Sequence, residues 1–210
     1  MVVQDPLKIT ITNYEKDNEI LLLENNPEAE VKDKREVYFS KTIYIEKEDF
    51  METPPPKFFR LTVGKEVRLK GAYIIKAESV LKDINGNITE IICTYDPKSK
   101  SGSGTSESQR KVKGTLHWVS AENSVDLEIR EYDRLFTHQS PGDFDPLEFN
   151  SILNNDSVKI YNGYGESAIK KTSQNEPVQF QRKGYYVLDP SSSKDNLVFN
   201  KTVGLRDSWK

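Results

Sequence analysis

The sequence is poor in cysteine and has no long apolar run, and each shortage excludes a class of protein. Cys93 is the only cysteine in 210 residues, so an internal disulfide and a thiolate zinc site are both excluded. No apolar run approaches the roughly 20 residues that a membrane-spanning helix needs. The start, "MVVQDPLKITI", lacks the basic and apolar regions of a signal peptide. We therefore expect a cytoplasmic protein with no membrane partner.

An overall excess of positive charge is also missing. The formal net charge is −3, which excludes a globally basic nucleic-acid binder but leaves room for a local basic patch. Residues 57–76, "KFFRLTVGKEVRLKGAYIIK", hold six cations and a single acid. In 177–189, "PVQFQRKGYYVLD", glutamine and cations stand beside two tyrosines. Positive charge is therefore concentrated locally.

Those two stretches have the chemistry of a surface for unpaired RNA. Arginine offers a planar fork of donors, glutamine offers a donor and an acceptor, and aromatic rings stack on unpaired bases. Alternation along "KEVRLKGAY" points Val67 and Leu69 one way and places Arg68 and Lys70 together on an exposed face. A solvated sheet face without a ligand is the other interpretation. The residues alone indicate a β-barrel protein that could bind an RNA loop.

Period-two alternation predicts strands along most of the chain. Asn85-Gly86 predicts a hairpin, because both residues tolerate positive φ. A second hairpin, turning at Gly64-Lys65, is expected to join 58–63 to 66–72. Residues 25–34 and 98–109 are predicted loops, the latter a mobile hairpin tip. One helix is predicted, over 144–153. The other predicted strands cover 7–14, 35–50, 65–83, 110–120, 125–136, 157–166, 177–189 and 196–207. Many short strands indicate a sandwich or barrel.

No catalytic or metal constellation stands out. His117, beside Trp118, is predicted to be a hydrogen-bonded structural histidine, and His138 a surface residue. The "SGSGTS" stretch lacks the Lys-Ser/Thr ending and the helix of a phosphate-binding loop. Cys93, on a predicted strand, is most simply a small core residue. We expect no catalytic residue and no metal ligand in this chain.

Seven strings stand in order along the chain: "REVYFSKTIYIEKEDF", "FFRLTVGKEVRLKGAYIIK", "ITEIICTYDP", "RKVKGTLHWVSA", "EIREYDRLF", "GYYVLD" and "LVFNKTVGLRDSW". Together they resemble the C-terminal, anticodon-binding part of glutaminyl-tRNA synthetases. The resemblance implies an all-β fold of two six-stranded, ribosomal-protein-like barrels with exchanged N-terminal strands and little helix. It implies a proximal barrel from about 1–25 plus 136–210 and a distal barrel from about 26–135.

The resemblance also implies partners and cofactors. The catalytic nucleotide-binding domain, with its His-Ile-Gly-His-type and Lys-Met-Ser-Lys-Ser-type signatures, is absent from these residues. The chain by itself is expected to need no cofactor, whereas the full-length ATP-dependent ligase would use ATP and Mg. Its expected partners are the anticodon loop of glutamine tRNA and its own N-terminal catalytic domain, in a monomer.

Site residues transfer where the strings align. Arg60 matches an arginine associated with the third anticodon base, and Arg68 and Lys70 match two positions at the pocket for the first base. Gln179 and Arg182 match residues at the pocket for the central uracil. The family often has Arg-Asn where this chain has Lys70-Gly71. Because lysine is a point charge and not a fork, we expect looser reading of the first base.

Two other interpretations stay open at this point. The anticodon-binding region of a eukaryotic-type glutamyl-tRNA synthetase would share the barrel architecture. A β-sandwich module that binds carbohydrate or protein belongs to a different class, and the absence of a signal peptide and of disulfides speaks against it.

Overall fold

Alternating side chains build most of the chain into β-strands, as expected from the sequence. The computed structural model describes residues 1–26, 28–31, 33–143, 145 and 148–205. Along the strand Pro6–Ile11 buried and half-buried residues alternate strictly, as a strand with one face on a core requires. The core-facing residues are mostly Ile, Leu, Val and aromatic side chains.

The larger sheet has seven strands in the order β10-β5-β2-β8-β7-β6-β9. β2 lies third in this order, antiparallel to β5 and parallel to β8. The bounds are β2 Pro6–Ile11, β5 Thr42–Glu46, β6 Glu66–Leu69, β7 Ile74–Lys82, β8 Ile88–Asp96, β9 Thr115–Leu116 and β10 Val119–Ser120.

The second sheet has six strands in the order β1-β12-β11-β15-β14-β13. Its β11 and β15 run parallel, whereas β14 is antiparallel to both β13 and β15. The bounds are β1 Val2–Val3, β11 Ser124–Tyr132, β12 Val158–Glu166, β13 Val178–Phe180, β14 Gly184–Leu188 and β15 Leu197–Val203.

A separate two-stranded ribbon pairs β3 (Asn18–Glu24) with β4 (Lys34–Ser40). The sequence did not predict β3, because its "ILLL" run hides the alternation. In the fold Leu21 and Leu23 are buried while Leu22 is exposed.

The fold class is confirmed: the chain is nearly all-β, with two barrel-like sheets, one nearly closed and one half a barrel. The resemblance implied six strands in each barrel, and the structure has six in one sheet and seven in the other. Among the described residues, helix is limited to α1 (Ser106–Gln109), α2 (Phe149–Ile152) and short 3₁₀ turns. α2 lies within the helix predicted over 144–153, of which Phe144, Pro146 and Leu147 lie outside the described residues. No helix among the described residues has the length and apolar character to cross a membrane.

Of the two predicted hairpins, one is confirmed and one is wrong. β7 and β8 form the hairpin expected at Asn85-Gly86, where Gly86 has φ +83°. β6, in contrast, pairs antiparallel with β7 and not with 58–63. The reason is a tight turn directly after β6, in which Ala72 N donates to the Leu69 carbonyl (3.0 Å). Residues 58–63 form only isolated parallel bridges, at Leu61 and Val63.

Two further predictions need correction. Residues 98–109 do not form a hairpin tip, because they contain α1 and part of a 3₁₀ turn, Pro97–Ser99. The predicted strand over 110–120 is reduced to the two-residue strands β9 and β10. The last predicted strand ends at Val203 in β15, and its final residues, 206 and 207, lie outside the described residues.

The chain divides into two compact units. The first comprises Met1–Asp126 and Gly163–Thr172, and the second comprises Leu127–Asn162 and the residues from Ser173 on. The first contains a large apolar core in which Phe39 meets Trp118 edge to face, with 5.1 Å between ring centroids. In the second, Phe180 stacks on Tyr186 at 4.1 Å. The barrel boundaries implied by the resemblance divide the chain differently, and they stay a prediction.

His117 and Cys93 are structural residues, as predicted. His117 is fully buried, with Nε2 3.3 Å from Glu46 Oε1. The Glu46 carboxylate is also buried and accepts hydrogen bonds from the backbone N–H groups of Gln4 (2.9 Å) and Asp5 (3.1 Å). Cys93 is buried in β8, and this burial raises the pKa of its thiol to about 12.

Candidate nucleic-acid interface

Lys70 and Gly71 form the turn of the β6–β7 hairpin. Val67 and Leu69 are fully buried, and Glu66 and Arg68 on the opposite side are half-buried. Gly71 has φ +67°, a conformation that glycine adopts without a steric penalty. The predicted alternation is confirmed, but Arg68 and Lys70 are half-buried and not exposed. The segment 97–110 covers Arg68.

Arg68 holds this covering segment in place. Its Nη1 donates to the carbonyl of Ser99 (3.0 Å) and to Ser101 Oγ (3.3 Å). Its Nη2 donates to the carbonyls of Ser108 (3.0 Å) and Arg110 (3.1 Å). Four of the five guanidinium N–H groups are thus used within the protein. In this arrangement Arg68 orders a loop, and it has little capacity left to read a base by a bidentate contact.

A second arginine fastens the far end of the same segment. Arg110 donates through Nη1 and Nη2 to the two carboxylate oxygens of Glu66 on β6, at 2.5 and 3.2 Å. Its Nε donates to Glu107 Oε2 at 2.8 Å. These hydrogen bonds raise the pKa of the Arg110 guanidinium. The pairing of Glu66 with Arg110 could not be predicted from the sequence, since the two residues stand 44 positions apart.

Lys70 is a half-buried cation in the turn of the β6–β7 hairpin. Burial lowers the pKa of its ammonium, Arg35 lowers it further, and Glu166 acts in the opposite direction. Glu166 is itself paired with Arg35. Within the part of the chain that the structure describes, no ion pair joins Lys70 to an acid. A cation that is not neutralised by the protein at the tip of a hairpin is suited to an RNA phosphate.

Arg60 lies outside the hairpins, in the segment before β6. Its Nη1 contacts Asp49 Oδ1 (3.1 Å), and Asp49 is fully buried. The same nitrogen donates to the Glu48 carbonyl at 3.1 Å. The Arg60 side chain remains 38% exposed, so it is anchored at one edge while part of it faces solvent. The prediction that it lies on a strand paired with β6 is wrong.

Gln179 and Arg182 lie in a second hairpin, formed by β13 and β14. Gln179 is exposed on β13, and its cross-strand partner is Tyr185. Lys183 N donates to the Phe180 carbonyl at 3.0 Å, which closes the turn around Arg182. Arg182 has φ +67°, which costs a residue with a Cβ on the order of 1 kcal/mol. The fold therefore holds an arginine in a strained conformation at the tip of the hairpin.

The two hairpins close in the same way. In each, an N–H–to–carbonyl hydrogen bond of 3.0 Å spans four residues, and the third of them has φ +67°. Arg68 and Lys70 thus lie in the β6–β7 hairpin, and Gln179 and Arg182 lie in the β13–β14 hairpin. Arg60 stands in a separate segment. Among the described residues, no group of three or more His, Cys, Asp or Glu could hold a metal ion.

Hairpins that end in cations, on an all-β scaffold with neighbouring amide and tyrosine side chains, define a β-barrel protein suited to unpaired nucleic acid. Comparisons with known proteins agree with that class. Residues 1–96 and 115–189 each match a family model described as tRNA synthetases class I (E and Q), anti-codon binding domain. The chain belongs to this family of anticodon-binding domains, which contact tRNA.

Individual relatives match over the whole chain. It is 49% identical over 212 residues to a glutamine–tRNA ligase of Clostridium perfringens, covering all of this chain and 38% of that protein. It is 47% identical over 211 residues to the ligase of Rhodopirellula baltica (all of this chain, 35% of that protein). The ligase of Photobacterium profundum is 47% identical over 210 residues (all of this chain, 37% of that protein). The chain spans somewhat more than a third of the length of these relatives.

Proposed function

We propose that this chain is the anticodon-binding region of a glutamine–tRNA ligase and that it recognises the anticodon loop of glutamine tRNA. The observation that carries the proposal is the 47–49% identity to ligases of that name over the full length of the chain. The fold supports it, because hairpin tips on rigid sheets present cations and amides to a ligand at fixed positions.

The five site residues divide into two kinds of role under this proposal. Gln179 and Arg182 read the central uracil, since glutamine offers both a donor and an acceptor to a base edge. Arg60 contacts the third base through the solvent-exposed part of its guanidinium, while Asp49 holds the other part in place. Lys70 contacts the first base or its phosphate as a point charge. Arg68 acts on the same pocket from behind, by holding segment 97–110 in place.

The remaining functions belong to the rest of such an enzyme. ATP, Mg and the charging reaction belong to a catalytic domain on the same polypeptide, and the complete protein works as a cytoplasmic monomer. Anticodon contacts made here favour correct seating of the acceptor end in that domain. Binding by this chain alone is weak and falls with salt, because its net charge of −3 opposes RNA everywhere except at the basic tips.

Two RNA stem-loops test this proposal against the glutamyl alternative. They carry the glutamine and the glutamate anticodons, which differ at the third base. We expect the chain to bind the glutamine stem-loop more tightly in a fluorescence titration at low salt. Tighter binding of the glutamate stem-loop would support a glutamyl enzyme, and no binding of either would refute RNA recognition by this chain. An Arg60→Ala variant should lose the difference between the two stem-loops, since Arg60 is assigned to the third base.

A further inference from the structure

Three strands of the six-stranded sheet carry a row of side chains that the family assignment does not explain. Tyr185 on β14 lies directly opposite Gln179 on β13 and directly opposite Val203 on β15. Tyr185 is 40% exposed and Val203 57% exposed. Residues opposite each other in a ladder have Cβ atoms about 4.5–5.5 Å apart. An amide, an aromatic ring and an aliphatic side chain therefore stand side by side on one open face.

The tyrosine is fixed in this outward position by its surroundings. Its neighbour Tyr186 is fully buried, stacks on Phe180 at 4.1 Å and donates its hydroxyl to Glu131 Oε1 at 2.8 Å. Successive residues of a strand point to opposite faces, so burial of Tyr186 turns Tyr185 outward. The ring is thus carried by a strand whose other face is locked into the core.

The backbone around the ring is also tightly held. Gly184, with φ +152°, lets β14 approach β15 so closely that a Cβ at this position would lie 2.6 Å from the Val203 carbonyl. Thr202 Oγ1 donates to the Tyr185 carbonyl at 3.0 Å. The backbone that carries the ring therefore has little conformational freedom to lose when a ligand binds.

We propose that Tyr185 is the platform of a base-stacking subsite: one unpaired base of the anticodon loop lies on its ring. The Gln179 amide on the neighbouring strand meets the edge of that base, which is the central uracil under the proposed function, and Arg182 lies at the turn of the same hairpin. This subsite deepens the proposed function and rests on it. Stacking holds the base without regard to its identity, so Tyr185 supplies affinity while Gln179 supplies discrimination.

The other aromatic side chains that are exposed among the described residues, Tyr132 and Phe59, offer poorer platforms. The Tyr132 hydroxyl donates to Asn200 Oδ1 at 2.9 Å, which ties its ring to β15. Phe59 has the Lys113 ammonium 5.3 Å from its ring centroid, so one face is already occupied by a cation. Tyr185 alone among these three stands directly opposite an amide side chain.

Three variants at position 185 distinguish the effect of the aromatic ring on RNA binding from the effect of apolar side-chain volume alone. With the complete 210-residue chain and the glutamine-anticodon stem-loop, Tyr185→Phe should bind as the unmodified chain does, because it keeps the ring. Tyr185→Leu and Tyr185→Ala should each bind about 5- to 150-fold more weakly, the effect of losing one base–aromatic stack. Val203→Ala is the matched control and should change binding less than twofold. Urea unfolding of each variant confirms that the fold persists.

A double-mutant cycle then identifies the stacked base. The unmodified chain and Tyr185→Ala are each titrated with three stem-loops, each of which lacks one of the three anticodon bases. For the stem-loop that lacks the central base, which is the base assigned to Gln179, the two proteins should bind equally, because the platform has no base to hold. Equal losses on all three stem-loops, or Leu and Ala variants that bind the intact stem-loop normally, would overturn the subsite while leaving the proposed function in place. No binding of the intact stem-loop by the unmodified chain would overturn both.

Discussion

Replacing Arg68 shows most clearly whether this residue orders segment 97–110 or contacts a base directly. Arg68→Met removes four hydrogen bonds, to three carbonyls and one hydroxyl between 99 and 110. A hydrogen bond contributes about 1 kcal/mol net, and more when the donor is charged. Because Arg68 is half-buried and the four contacts share one support, we expect a loss of about 2–4 kcal/mol in the free energy of unfolding. Arg68→Lys should lose about half as much, since one ammonium cannot reach acceptors at both ends of the segment.

Two measurements check this prediction together. Urea unfolding gives the change in stability, and amide hydrogen exchange gives the order of 97–110. Both variants should exchange faster at Ser101, whose N–H donates to the Ala72 carbonyl, and at Ser108, whose N–H donates to Thr105 Oγ1. Arg134→Lys is the control, because the ion pair that the Arg134 side chain forms within the described part of the chain, with Asp133, is exposed. If Arg68→Lys weakened RNA binding with stability and exchange unchanged, Arg68 would be a direct reader and our account of it would be wrong.

Other predictions follow from single features of the two units. Arg182→Gly should unfold at the same or a higher urea concentration, because glycine relieves the positive φ, yet it should bind the stem-loop more weakly; a variant that binds equally well would remove Arg182 from the site. Glu46→Ala should cost about 3–5 kcal/mol in urea unfolding, since it removes the acceptor of the Gln4 and Asp5 N–H groups and a buried partner of the His117 ring, whereas a cost below about 1 kcal/mol would contradict this role. Cys93 should resist thiol reagents at pH 8 until the chain unfolds, because its thiol pKa is raised to about 12. Since the folded state keeps this proton longer than the unfolded state does, the Cys93 contribution to stability should decrease as pH rises above about 9, and the fall in stability with pH should be smaller in a Cys93→Ala variant.

The elements that follow from local pattern were predictable from the sequence. Period-two alternation gave most strands, and Asn85-Gly86 gave the β7–β8 hairpin, where Asp83 Oδ1 also accepts from the N–H groups of Asn85 (2.9 Å) and Asn87 (2.8 Å). All of these interactions lie within a few residues of one another. The failures came where a local signal was ambiguous: Gly64 turns the chain as expected, but the tighter turn at Gly71 decides which strand β6 meets.

The environment of the site residues could not be predicted in the same way. Alternation placed Arg68 on a polar face, which is correct, but the segment that covers it lies 31 to 42 residues further along the chain. A Gly/Ser-rich stretch normally indicates a flexible loop, and nothing in its composition shows that a guanidinium organises it. Likewise, the sequence grouped Tyr185 with Tyr186, and only the register separates an exposed platform from a buried core residue.

The central claim is that this chain reads the anticodon, and one pair of titrations tests it most directly. The first uses the glutamine-anticodon stem-loop, and the second uses the same stem-loop with the central U replaced by C. Because each contact to a base edge discriminates by about 1–3 kcal/mol, the account predicts at least about fivefold weaker binding of the replaced stem-loop. The ratio should approach one in a Gln179→Ala variant. Equal affinity of the unmodified chain for both stem-loops would contradict base reading by this surface.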